Sequence, residues 1–388
     1  MPTRKLEMKK STIPVRVQSD LLWEPRAVFW GARLQIAREF KEFTQKALSE
    51  MVSASPALIS LCEAGRKNPS SDLVQAFGEV LGFEPEFFYH EVEDMFHEEQ
   101  CSFRHRRSAQ ERVKTRIRAH ATLIGMVIGR LRSLLKFPSQ DIPHFPLSKG
   151  TASEVEEAAE ACRKYWKLGI DGPIMQVGRA FEHAGVVIVP HLVKTTKIDA
   201  FSRCGPTAVI FLNKSIPSAS RWNFDIAHEG GHLVMHPGIE TGSIETEREA
   251  DRFASAFLMP RKAFSRDFSM GEAADWKHIF AIKRRWQVSA AAVVRRAYDL
   301  GLIDAVRYRQ AYKYMSFHKW TVKGEPEEPT FQEPEILSGA LTALGTRVKT
   351  TMDELRQQLH FTPETFREVT GVVVPASKLK LSPIIPFR

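Results

Sequence analysis

Apolar and polar positions change their spacing along this chain, and each change marks an element. From Ala32 the pattern is helical, with Leu34, Ala37 and Phe40 three apart. Thr44 is a good N-cap for a helix whose apolar side is Ala47, Leu48, Met51 and Val52. After Ser53-Ala54, Ser55 caps a second short helix, with Pro56 in its first turn and Leu58, Ile59 and Cys62 inward. Ala64-Gly65 stops it, Asn68-Pro69-Ser70 turns the chain, and Leu73, Phe77, Val80 and Leu81 begin another helix. Val113, Ile117, Ala121, Ile124, Ile128, Leu131 and Leu135 then mark a long amphipathic helix, and Phe137 to Gly150 reads as a linker.

Beyond the linker, helices are predicted over Glu154–Leu168 and near Pro173–Ala184. The apolar runs Val186–Val189 and Ala208–Leu212 predict two strands. A helix follows around residues 225–236, and another runs from Glu245 to Leu258, burying Ala250, Phe253, Ala254, Phe257 and Leu258. Ile282 to Ile303 predicts two helices about a turn, with Ser289 as N-cap and Gly301 as stop. Trp286, Val293, Val294 and Ala297 are read there as core. Lys323 to Pro334 is a Pro/Glu linker, and Glu335 to Val374 is read as helical with no legible chemistry. The predicted fold class is multidomain and mainly α: an all-α helix-turn-helix domain, an α+β domain with a small sheet, and a helical C-terminal region. The boundaries are a basic arm at 1–25, the helix-turn-helix at 26–90, a basic helix and linker at 91–150, and the α+β domain at 151–262. A helical extension at 263–322 and a final segment at 323–388 complete the chain.

At 388 residues, two or three domains fit the rough prior of ~150 residues each. Hydrophobic content of 43% and charged content of 26% are those of an ordinary globular protein. There is no run of ~18 apolar residues, so no membrane partner is expected. The first residues lack the apolar stretch of a secretory signal. Cys62, Cys101, Cys162 and Cys204 stand far apart, which argues against a Cys-x-x-Cys site and for a reduced, cytoplasmic protein. The net charge of +9 is uneven: residues 84–99 hold seven acids and no Lys or Arg, whereas residues 104–136 hold ten Lys or Arg against Glu111 alone. Such a block suits a polyanion, although on charge alone a solvated helix face is the favoured reading.

The candidate chemistry centres on Asp225-Ile226-Ala227-His228-Glu229-Gly230-Gly231-His232, a His-Glu-x-x-His string. On a helix, His228 and His232 sit one turn apart on one face and can share a zinc ion, with Glu229 beside them to act on water. His236 extends the register, but eight residues of helix span ~12 Å, against zinc–nitrogen bonds of ~2 Å. His236 is therefore read as a helix-end residue or one that supports a ligand. Glu247, on the inward edge of the next helix, is the better third ligand, and Asp251 can reach an imidazole N–H to fix its tautomer. Glu249, about 200° round from Glu247, is expected to face water. Three protein ligands leave room for water, which suits a catalytic zinc.

Two resemblances join these observations. The stretch LQIAREFKEFTQKALSEMVSASPALISLCEAGRKNPSSDLVQAFGEVLGFEPEFF resembles the XRE (phage repressor and Cro) helix-turn-helix type over Gly31 to Phe88. The resemblance implies double-stranded DNA as a partner, with Gln45 and its neighbours on phosphates and the second helix start, Ser55, Pro56, Ala57 and Ser60, towards bases. Arg66 and Lys67 complete the candidate DNA contacts. No Arg or Lys lies between Ala47 and Gly65, so modest specificity is expected from a monomer. The amphipathic helix over residues 113–135 could join two copies in a homodimer, the expected assembly on DNA, or pack on the next domain.

IDAFSRCGPTAVIFLNKS, RWNFDIAHEGGHLVMHPG and EREADRFASAFLMP together resemble the ImmA/IrrE metallopeptidase family. That resemblance implies a Zn2+ cofactor held by His228, His232 and Glu247, with Glu229 as general base. It further implies a protein substrate such as a repressor, under stress, phage or toxin–antitoxin control. Phe103 to Arg107 and the basic helix resemble members with an XRE domain in front. The alternative function is a non-proteolytic transcription factor whose zinc domain senses a ligand or holds structure. Gly230 departs from the large aliphatic residue usual there. A mid-helix Gly costs ~1 kcal/mol relative to Ala, so either the helix is loose or a bulky neighbour needs the space.

Overall fold

Short strands buried on both faces divide the interior of this protein in two. A computed structural model describes residues 28–92, 101–103, 111–190, 199–213, 218–239, 241–269, 275–320, 324–347 and 350–372. The predicted arm at 1–25 and the basic residues Arg104, Arg106 and Arg107 lie outside them.

Four helices come first: α1 (Gly31–Phe40), α2 (Gln45–Met51), α3 (Pro56–Glu63) and α4 (Ser71–Leu81). The Thr44 hydroxyl accepts from the Ala47 N–H at 3.0 Å and that of Ser55 from the Leu58 N–H at 3.1 Å, satisfying donors that open each helix. The Arg38 guanidinium ties α1 to α3 through both Glu63 carboxylate oxygens, at 2.5 and 3.0 Å. α5 (Glu111–Leu134) lays Ile117, Ala121, Ile124, Ile128 and Leu131 into the same core as Leu34, Ala37 and Phe40. Its apolar stripe is therefore used within the chain. Much of its basic face is used there too: Arg116 meets Glu42 at 2.5 Å, Arg130 meets Gln358 at 2.8 Å, and Arg132 meets Thr207 at 2.5 Å.

After α6 (Ala152–Tyr165) and α7 (Val177–His183) the sheet assembles. Its strands are β1 (Cys101–Phe103), β2 (Val187–Val189), β3 (Ala200–Arg203) and β4 (Val209–Leu212), in the order β1-β3-β4-β2. β2 runs parallel to β4, while β3 runs antiparallel to both β4 and β1. The sequence predicts β2 and β4; β1 and β3 are additional. Alternation does the dividing. Val187, Val189, Phe201, Val209 and Phe211 face the core of α1–α5, whereas Ile188, Ala200, Ile210 and Leu212 face a second core. That second core is built on α8 (Ala219–Met235), α9 (Ile244–Leu258), α10 (Arg261–Ser269), α11 (Trp276–Trp286) and α12 (Ala290–Asp299). Trp286, Val293, Val294 and Ala297 belong to it, as their spacing predicts.

The C-terminal part departs from expectation in its linker. α13 (Ala305–Phe317) leads to the Pro/Glu segment, which is a strap rather than a loose linker. Buried Lys283 holds Glu325 at 2.8 Å and Glu328 at 2.7 Å. Glu325 accepts the Ala290 and Ala291 N–H groups at the start of α12, and Glu328 accepts the Ser220 N–H at the start of α8. Negative side chains at two helix N-termini complement the helix dipoles. The last stretch is then three helices, α14 (Ile336–Arg347), α15 (Met352–Gln358) and α16 (Pro363–Thr370), which return to the first core. Phe361 packs edge-on against Phe83 at 5.5 Å, and Thr362 and Thr365 donate to the Gly82 carbonyl at 2.8 and 2.6 Å. No helix among the described residues is long and apolar enough to cross a membrane.

Replacing Lys283 with Met leaves Glu325 and Glu328 without their cation. Chemical denaturation should show a loss of about 3 kcal/mol, as expected for breaking a largely buried pair. Unchanged stability would mean the strap contributes nothing.

Candidate metal centre

α8 carries the His-Glu-x-x-His string and is almost wholly buried, running unbroken through Gly230-Gly231. The reason is space. A Cβ at Gly230 would overlap the Phe181 ring of α7, and one at Gly231 would approach Phe253 of α9 to 3.0 Å. The two glycines let neighbouring helices close on the face beside the histidines, so of the two explanations left open for Gly230 the bulky neighbour is present.

The structure brings His228, His232 and Glu247 together, one ligand atom from each lying within 4.8 Å of the others. His228 Nε2 and His232 Nε2 each stand 3.5 Å from a different oxygen of Glu247. Those separations are long for charge-assisted hydrogen bonds. Separations of that size lie near the ~3.4 Å between neighbouring donors that each stand ~2.1 Å from a zinc, but they run to two different carboxylate oxygens. His232 Nε2 and Glu247 Oε1 are buried with no hydrogen-bond partner among the described residues, so the donor set fits a cation. Burial would raise the Glu247 carboxyl, but the two histidines beside it hold it down at about 2. Burial lowers the His232 pKa, favouring the neutral imidazole that a metal requires.

Glu229 sits beside this triad, fully buried, with neither carboxyl oxygen hydrogen-bonded among the described residues. Burial pushes its carboxyl up to about 8, with His228 pulling it partly back. A divalent cation beside it would oppose that push. Ser202 of β3 lies over the same turn, its hydroxyl 3.4 Å from the Glu229 carbonyl. With β3 unpredicted, nothing in the sequence aimed Ser202 here.

The surrounding carboxylates divide the support. Asp251 accepts from His228 Nδ1 at 2.9 Å. His236 ends α8 and lies outside the ligand cluster, with its Nδ1 3.0 Å from His232 Nδ1. Glu249 does not face water as expected: its Oε2 is 2.9 Å from His236 Nε2, and its side chain is 19% exposed. A helical wheel gives the direction of Cβ, and the Glu249 arm is long enough to reach round to the end of α8.

Of the residues expected to contact DNA, Ser55, Pro56, Ala57, Ser60, Arg66 and Lys67 are exposed. Gln45 is half-buried, and its amide nitrogen donates to Glu63 at 2.7 Å rather than standing free for phosphate. They lie far in the chain from the candidate centre, with α2 and α3 packed on the first core and α8 and α9 on the second.

An α+β unit with a His-Glu-x-x-His helix and a carboxylate from the following helix defines a metallopeptidase-like domain. The family model Peptidase_M78, described as IrrE N-terminal-like domain, matches residues 181–298, from the end of α7 to α12. The chain is similar to that family over this stretch, which contains all four residues of the candidate centre and excludes α1–α5. No curated protein matches the chain.

Gly230→Ala sets a helix-propensity gain of ~1 kcal/mol against overpacking that costs about 1–3 kcal/mol. Thermal unfolding should show net destabilisation, relieved when Phe181→Leu is added. A more stable Gly230→Ala protein would show that the close approach is unimportant.

Proposed function

We propose that this chain is a DNA-binding regulator carrying a zinc-dependent endopeptidase domain that hydrolyses a repressor or another regulatory protein. The observation that carries the reading is the buried triad of His228, His232 and Glu247 at 3.5 Å separations, with the desolvated Glu229 carboxyl against it. Three protein ligands rather than four favour catalysis over a purely structural role. The family resemblance over residues 181–298 supports a peptidase.

Zinc, when bound, supplies Lewis-acid charge that polarises a scissile carbonyl and makes water acidic near neutral pH. His228, His232 and Glu247 hold it. Asp251 keeps the His228 ring oriented through Nδ1. Glu229 takes one proton from the attacking water as its oxygen bonds to the carbonyl carbon. The same carboxyl then delivers that proton to the leaving nitrogen as the C–N bond breaks. Its burial keeps bulk water from competing for that proton.

For the DNA-binding part, the support is the α2–α3 pair with its exposed second-helix start. Few basic or amide side chains stand there, so phosphate attraction would supply most of the affinity.

Glu229→Gln should retain zinc by elemental analysis and lose peptide hydrolysis by at least 100-fold; persisting cleavage would remove Glu229 as the base. Glu247→Ala should lose zinc, and full retention would send the search for the third ligand elsewhere. If the unsubstituted protein holds zinc but cleaves no protein, the sensor reading takes over. Binding to duplex DNA should weaken steeply between low and high salt, and a flat salt response would argue against a phosphate-tracking regulator.

A further inference from the structure

We propose that His236 and Glu249 are positioning residues that set the tautomer of His232, turning its Nε2 lone pair towards Glu247 and the metal. This rests on the metal-holding reading above and adds a route by which the second histidine is prepared for its task.

The argument runs inward from the carboxylate. Glu249 Oε2 lies 2.9 Å from His236 Nε2. A carboxylate oxygen accepts at that distance, so the Nε2–H of His236 is the donor. A His232 ring that offers Nε2 to a cation keeps its own proton on Nδ1. His236 Nδ1 is then a lone pair, and it stands 3.0 Å from His232 Nδ1. A bond between those two nitrogens needs one donor, so His232 Nδ1 carries the proton. His232 Nε2 is left as a lone pair, 3.5 Å from Glu247 Oε1.

The local structure supports the arrangement. His236 leaves the helix at φ −117° and ψ 28° while its N–H still bonds to the His232 carbonyl at 2.9 Å, so its ring folds back towards His232. Glu249 Oε1 lies close against Gly150, where any side chain would overlap it. Gly150 has φ +63°, a conformation that glycine adopts without strain. The two ligand histidines are thus supported differently. His228 donates directly to Asp251, whose side chain is 51% exposed, whereas His232 reaches the more buried Glu249 through a second ring.

The test uses the full chain and three measurements: zinc affinity by competition with a chromophoric chelator, the visible spectrum with cobalt(II) substituted, and thermal unfolding of the metal-free protein. His236→Phe keeps a ring but removes the acceptor. Glu249→Gln keeps the shape but can donate, so the direction of the relay is no longer enforced. Both should weaken zinc binding by about 10–100-fold and alter the cobalt spectrum, while metal-free Glu249→Gln unfolds within a few degrees of the unsubstituted protein. In the unsubstituted protein, nitrogen-15 NMR should place a proton on His232 Nδ1. A folded Glu249→Gln protein with unchanged zinc affinity and spectrum would overturn the proposal, and it decides the matter alone if His236→Phe does not fold. Equal affinity in all three proteins sinks only the relay, whereas no zinc bound by the unsubstituted protein sinks the metal reading itself.

Discussion

Burying a helix that carries five ionisable side chains is the constraint on which this structure depends. Asp225, His228, Glu229, His232 and His236 of α8 and its cap are all less than a tenth exposed. A polar group taken from water without a partner costs kilocalories, and an isolated charge far more. α9 answers most of that demand, because Glu247, Asp251 and Glu249 all reach the histidines from one helix. Gly231 and the ring of Phe253 let the two helices approach closely enough for those side chains to meet. Glu229 is left outside this set of bonds. A buried carboxyl with no hydrogen bond among the described residues is a poor choice for stability alone, and it makes sense as a group kept ready to move a proton.

Helical arithmetic made the centre of this site readable, since His228 with His232 and Glu247 with Asp251 are each one turn apart. The caps at Thr44, Ser55 and Ser289 were readable for the same reason: a cap and the N–H it satisfies lie within three residues. What escaped depends on distant partners. β1 is three residues long and takes its identity from pairing with β3, about a hundred positions on. Ala200–Arg203 mixes small, aromatic and charged residues, and only its buried position between β1 and β4 makes it a strand. Glu325 and Glu328 read as linker charges because nothing nearby in sequence points to Lys283. Glu249 was misplaced because angle was considered without reach.

The sheet then explains why the two cores share one body. β2, β3 and β4 have no solvent face: one side serves the core of α1–α5 and the other serves the core that holds α8 and α9. The stacked Phe201 and Phe211, 4.3 Å apart, lie on the α1–α5 side, while Ile210 on the neighbouring position of β4 lies on the side of the candidate centre. A fragment cut before α6 would expose Val187, Val189, Phe201, Val209 and Phe211 together, an apolar patch of the kind that soluble monomers avoid. It would also lose β1 from the edge next to β3, and Ser202 of β3 lies over Glu229. α14–α16 strengthen the same coupling from the other end. They leave the strap that caps α8 and return to Gly82, at the C-terminal end of α4. The helix that bears the candidate centre is therefore held at its N-terminus by a segment whose continuation is packed on the core of α1–α5. Any account of this protein that treats the metallopeptidase-like unit as a detachable module has to explain what would cover the second face of its sheet.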